Sequence, residues 1–196
     1  DLREQLGDEV KTANTLNNIG IIHDEKGDYH DAFDYYYRAY HIYEKAGNKE
    51  KLAMVSVNMG IVLKAQSDYR QAGNYYRRAI NIYKELGNQF GIAACYANLG
   101  CVYFYLPKYD SSLYYSLLAT TEFERQNIAQ FLPTTICNAG MAYDKLGKSK
   151  EAEQYLLRSI ELNEKYDSKK PLAFSLIYLG DIYTSQGLYE KALKAV

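Results

Sequence analysis

A glycine stands at every fortieth position of this 196-residue chain: Gly20, Gly60, Gly100, Gly140 and Gly180. Twelve residues after each comes a small residue, namely Ala32, Ala72, Ser112, Ala152 and Ala192. Seven after each are the turn-compatible Gly27, Ser67, Pro107, Gly147 and Gly187, and two further on are Tyr29, Tyr69, Tyr109, Ser149 and Tyr189. Five copies align without a gap. Self-similarity at one fixed period is the mark of a repeat architecture, in which each unit buries its apolar face on its neighbours. The period therefore replaces the one or two globular domains that length alone would allow with a single elongated array.

Each copy reads as two helices. The first, such as Ala13 to Lys26, ends at the Gly27-Asp28 turn signal. The second runs from about Tyr29 to Lys45 and stops at Gly47-Asn48, where a left-handed residue can close the helix; Gly87-Asn88 repeats that punctuation. A glycine inside a helix costs about 1 kcal/mol relative to alanine. Five of them in register imply close helix approach, each glycine facing the small residue twelve positions on.

Tyr96-x-x-Leu99-Gly100-x-x-Tyr103 and Leu176-x-x-Leu179-Gly180-x-x-Tyr183 resemble the first-helix signature of tetratricopeptide repeats. Ala32-x-x-x-Tyr36-x-x-Ala39 and Ala72-x-x-x-Tyr76-x-x-Ala79 resemble the second-helix signature. The resemblance covers essentially the whole chain. It departs in a period of 40 where the standard repeat has 34, and in lacking the usual proline after the second helix. Both departures fit a lengthened second helix, as in kinesin light chains, Leu-Gly-Asn-repeat proteins and bacterial Rap-type regulators. The resemblance implies an all-α fold, a right-handed α-solenoid of stacked antiparallel helical hairpins.

One array spans 1–196 on this reading. Repeats cover 13–52, 53–92, 93–132 and 133–172, with a partial copy over 173–196. Leu6-Gly7-Asp8 lies 40 residues before Ala46-Gly47-Asn48, so 1–12 reads as the tail of a preceding repeat, and the natural protein is expected to be longer on both sides.

Charge excludes several functions. The 23 basic and 24 acidic residues are well mixed and give a net charge of −1, so no long-range positive field exists to hold a phosphate backbone, and nucleic acid is not an expected partner. No run approaches the ~20 apolar residues of a membrane span, so membrane insertion is not expected. Cys95, Cys101 and Cys137 fit neither a disulfide framework nor a metal site and read as reduced small hydrophobes, which leans toward a cytoplasmic location; an extracytoplasmic or periplasmic sensor domain is the alternative. The 22 tyrosines mostly occupy fixed repeat slots and read as packing residues whose hydroxyls reach a polar edge.

The resemblance also implies where a ligand would lie, because first helices of the family line a concave groove. The slot two before each signature glycine holds Asn18, Asn58, Asn98 and Asn138, then Tyr178. Each amide offers a donor and an acceptor and can pair with a peptide group on both sides. In the 40-residue relatives asparagines at this slot hold ligand backbone, and the resemblance implies the same here. The competing reading is that the amides bond an adjacent helix and fix the stacking. Neighbouring slots supply Asn14, Asn17, Met54, Val57, Ile61, Lys64, Cys101, Phe104, Cys137 and Met141. The family's groove slots also include Thr134 and Phe174, and its mouth Tyr105, Asp144 and Lys145. Asn17 stands where a carboxylate clamp for acidic chaperone tails would need lysine, which disfavours such tails.

No enzyme is indicated. His23 fills the slot of Tyr103 and Tyr143 as a core aromatic, no cysteine or serine has a recognisable base partner, and no cofactor or metal is called for. The expected function is a non-enzymatic protein- or peptide-binding module of a larger regulatory or scaffolding protein. One alternative is a regulatory arm of a kinase, cyclase or transcription regulator that responds to a small peptide. The other is a self-association module working through exposed helix faces.

Overall fold

The computed structural model describes residues 2–166 and 169–195, and among these every regular element is helical. The first helices of the hairpins are α1 (Leu2–Lys26), α3 (Lys49–Ala65), α5 (Gln89–Tyr105), α7 (Leu132–Lys145) and α9 (Lys169–Ser185). The second helices are α2 (Tyr29–Lys45), α4 (Tyr69–Glu85), α6 (Tyr109–Arg125), α8 (Ser149–Lys165) and α10 (Tyr189–Ala195). The fold is the all-α stack of helical hairpins that the forty-residue period requires.

The punctuation is local chemistry. Gly27 N–H bonds Asp24 O at 3.0 Å and Asp28 N–H bonds His23 O at 2.9 Å, which satisfies the last carbonyls of α1. The same pair of bonds closes α3 through Ser67 and Asp68, although Ser67 must hold φ at 64° to make them. After α2 and α4 the turn residue also starts the next element. Asn48 Oδ1 accepts from Lys51 N–H at 3.1 Å, and Asn88 Oδ1 accepts from Gly91 N–H at 2.8 Å. First helices therefore begin at Lys49 and Gln89, a turn earlier than the sequence suggested. Pro133 shortens α7, whose first turn is replaced by a 3₁₀ segment, Ala129–Phe131. Gly7 occupies the slot of Gly47 and Gly87 yet lies inside the continuous helix α1.

The chain divides into two compact units, Asp1–Cys95 and Tyr96–Val196, with α5 contributing residues to each. In the first unit α1 packs on α2, α2 on α3 and α3 on α4. Its core joins Leu16, Tyr36, Tyr40, Tyr43, Val55, Met59 and Val62, with Ala13, Ala32 and Ala39 letting the helices come close. In the second unit α6 through α10 pack in succession, around Cys137, Ala152, Leu156, Leu179, Ile182 and Tyr183.

Gly20, Gly60, Gly100 and Gly140 sit at close crossings, but their nearest neighbours differ from the expected small residues. A Cβ added at Gly20 would meet the Tyr36 ring at 2.7 Å, one at Gly60 the Tyr76 ring at 2.6 Å, and one at Gly140 Leu156 at 3.0 Å. At Gly100 it would collide with the Ser116 hydroxyl. The neighbour thus lies one helical turn beyond the small slot. Ser112 still reaches its glycine, donating to the Gly100 carbonyl at 2.8 Å. Two fixed-slot tyrosines pack as expected: Tyr43 is fully buried and its hydroxyl donates to Asn14 Oδ1 at 2.9 Å, and Tyr183 donates to Glu153 at 2.6 Å, whereas Tyr189, in another fixed slot, is 65% exposed.

Candidate binding site

First helices of the second unit form one apolar pocket of about 280 Å³. Cys101, Phe104 and Tyr105 come from α5 and Thr134, Cys137, Asn138 and Met141 from α7. Pro171, Phe174 and Tyr178 come from α9. The spacing explains the convergence. Residues three, four and seven apart share one helix face, and the same face recurs forty residues on in the next first helix.

Six of the sequence-predicted site residues meet here: Cys101, Phe104, Cys137, Asn138, Met141 and Tyr178. Asn138 is half-buried, and its amide makes no hydrogen bond among the described residues. The lining carries no charged side chain. Rings at the mouth are left open to solvent: Tyr105 is 52% and Phe174 62% exposed. Pro171 is the lining residue that sequence reasoning missed. Its slot in other copies holds Lys11, Lys51, Gly91 and Phe131, so no recurring type marks it.

Two ionisable groups of the pocket, Cys137 and Tyr178, are held neutral. Burial pushes the Cys137 thiol above its usual value, and a hydrogen bond from Ser175 pulls the other way more weakly. Burial also raises the Tyr178 phenol, helped by the nearby Tyr105, Cys137, Asp181 and Cys101. Tyr178 therefore remains a hydroxyl donor, placed where the other copies carry an asparagine amide. Behind the wall, Ser159 donates to the Pro133 carbonyl at 2.7 Å and lies 2.9 Å from the Ser175 hydroxyl, so a buried polar pair ties α8 to α7 and α9.

The remaining predicted residues lie elsewhere. Asn98 is half-buried on α5 and does not line the pocket. In the first unit Asn18 is exposed, while Met54, Val57, Ile61 and Lys64 are half-buried. Asn14 accepts from Tyr43, and buried Asn17 accepts from the Asn58 side-chain amide at 3.2 Å. His23 is half-buried and stacks on Tyr35 with ring centroids 5.3 Å apart, at the rim of the packing rather than in the core. Among the described residues no group of three His, Cys, Asp or Glu side chains could hold a metal ion, and no helix is long and apolar enough to cross a membrane.

Comparison with known proteins agrees with the fold. Tetratricopeptide repeat models match residues 1–45 and 51–125, and a second such model matches 133–166. No curated protein matches the sequence. Solved structures do. BtubC (BKLC) from P. vanneervenii superposes with a TM-score of 0.78 at 17% identity, over 100% of this chain and 88% of that one. A Rap protein complexed with Competence and Sporulation Factor gives 0.81 at 20% identity, over 94% of this chain and 52% of the other. The nearly identical repeats of a kinesin light chain from Podosopora anserina give 0.77 at 12%, over 95% and 92%. The chain thus spans about half the length of the Rap protein it matches.

Proposed function

This chain belongs to the tetratricopeptide repeat family and is a protein-interaction module, and we propose that its second unit grips an extended segment of a partner through the α5–α7–α9 pocket. One observation carries the reading: six groove positions converge on a single apolar pocket whose polar floor, the Asn138 amide, is unengaged within the fold. An amide with both donor and acceptor available pairs with a peptide group whatever its side chain. The apolar walls would then take the side chain beside it. Asn98 on α5 occupies the same repeat slot within the second unit, as Asn18 does in the first, whereas Asn58 is engaged by Asn17. The reading assigns the chain no catalysis, and three cysteines outside any disulfide suit a reducing compartment such as the cytoplasm.

A second reading has one observation in its favour. A Rap protein of similar fold was solved with Competence and Sporulation Factor bound, which suits a regulatory arm of a larger protein responding to a small peptide. Both readings use the same pocket.

The test is a screen of random ten-residue peptides, followed by affinity and melting measurements on Asn138→Ala. Losing one peptide hydrogen bond costs about 0.5–1.5 kcal/mol, so affinity should fall about two- to tenfold with the melting temperature unchanged. Unchanged affinity would remove the ladder from the site.

A further inference from the structure

The pocket fixes what kind of segment it holds. Its lining is uncharged, and its volume of about 280 Å³ lies below the usual ~300–1,000 Å³ of sites for drug-sized ligands. It therefore suits one bulky side chain rather than a cofactor. The soft walls, Met141 with Cys101 and Cys137, can adapt to an aromatic ring or a thioether. Exposed rings of Phe174 and Tyr105 border the opening, so an inserted side chain would also cover apolar surface now facing water.

Helix α9 carries a single carboxylate. Asp181 occupies on α9 the slot that Cys101 and Met141 occupy on α5 and α7, and those two line the pocket. It is exposed and has no ion pair or hydrogen bond among the described residues. It stands three residues beyond Tyr178 on α9, on the same helix face, and borders a neighbouring cavity with Ile177 and Thr184; its charge helps raise the Tyr178 phenol. The nearest basic side chain on α7, Lys145, is paired with Asp144 at 3.6 Å. A ligand leaving the pocket along α9 meets an unneutralised carboxylate.

We propose that the second unit recognises a partner segment carrying a bulky apolar anchor, Phe or Met, followed closely by a basic residue, with the anchor in the pocket and the cation at Asp181. This rests on the segment-binding reading above. Such an anchor in a desolvated pocket supplies most of the affinity, and the exposed charge pair supplies direction and choice between partners.

The test is an array of acetylated, amidated nine-residue peptides on an alanine–serine host. One position carries Phe, Met or Ala, and each flanking position in turn carries Arg, Gln or Glu. Phe and Met should exceed Ala by about ten- to hundredfold, the value of burying one such side chain. Arg on one flank should exceed Glu by about two- to fivefold, an effect that fades with added salt. Asp181→Lys, whose fold is checked by circular dichroism, should reverse the preference to Glu. Absence of binding, no preference for Phe or Met over Ala, or a charge ranking that Asp181→Lys leaves in place would each overturn the proposal. Asn138→Ala separates it from the reading beneath it. That variant should weaken every peptide alike without changing their ranking, whereas Asp181→Lys changes the ranking alone.

Discussion

The side-chain amide of Asn58 donates to Oδ1 of Asn17 across 3.2 Å, joining helices α1 and α3 of the first unit. The two positions are 41 apart, one more than the repeat, so the bond links the third slot before one signature glycine to the second slot before the next. Asn17 is 3% exposed and Asn58 half-buried. Other copies cannot form this bond, because the third slot holds Val57, Ala97, Cys137 or Ile177. This is why Asn58 is committed to the stack while Asn138, whose counterpart in the preceding copy is Ala97, is not.

Asn17→Ala should therefore destabilise the protein by about 0.5–1.5 kcal/mol, the net value of one hydrogen bond, with water recovering part of the loss at Asn58. Urea unfolding reads this directly. A midpoint equal to that of the parent protein would show that the bond contributes nothing to stacking.

Gly60→Ala is expected to destabilise even though alanine is the better helix former by about 1 kcal/mol. The new methyl would stand 2.6–2.8 Å from the ring of Tyr76, which is fully buried and packed on all sides. Overpacking of this kind costs about 1–3 kcal/mol. Thermal unfolding decides the balance: a higher melting temperature for Gly60→Ala would mean that the Tyr76 ring moves aside freely.

How much of this was legible follows from what spacing can encode. The forty-residue glycines give helices, hairpins and turns, because Gly27, Gly47 and Asn48 act within a few residues of themselves. Which residue faces a glycine was not legible. Tyr36, Tyr76 and Leu156, one turn past Ala32, Ala72 and Ala152, take that place because the axial stagger of two helices is set by packing. Helix starts were misjudged by a turn because Asn48 and Asn88 both close one helix and cap the next. At the site, the recurring slots found Cys101, Cys137, Asn138, Met141 and Tyr178. The approach of Pro171 from α9 depends on the rotation between neighbouring hairpins, which no single copy specifies.

Alkaline pH should unfold the protein through buried acids. Burial pushes the Cys95 thiol up to about 12 from its ordinary 9.0, and the Tyr83 phenol up to about 12 from 10.0. Both groups are favoured neutral in the fold, so their contribution is complete below the unfolded values and is lost as pH climbs toward 12. Above pH 9 the unfolded chain releases the Cys95 proton while the folded chain keeps it, and stability falls by about 1.4 kcal/mol per pH unit. Cys95→Val, the residue found at the matching position Val55, should reduce that slope between pH 9 and 10, where Tyr83 does not yet contribute and the buried Cys137 thiol keeps its own share. Denaturant titrations across that interval with an equally steep slope in the variant would refute the assignment.

Met141→Trp should block the pocket without disturbing the fold. Met141 is half-buried on α7, facing a cavity of about 280 Å³, so an indole has room to lie in the space that a ligand side chain would occupy. Cys137 is a poorer position for the same experiment: it is 4% exposed and packed into the core with Leu156 and Leu179, where a larger side chain would overpack. Peptides selected on the parent protein should lose about tenfold or more in affinity for Met141→Trp, the loss expected when one buried anchor is shut out. Its melting temperature should stay equal to or above the parent's, because the indole covers apolar surface of Phe174 and Tyr105. Retained affinity with a normal melting temperature would mean that the segment binds on another face. Loss of affinity together with a lowered melting temperature would mean that Met141 supports the stack rather than the pocket.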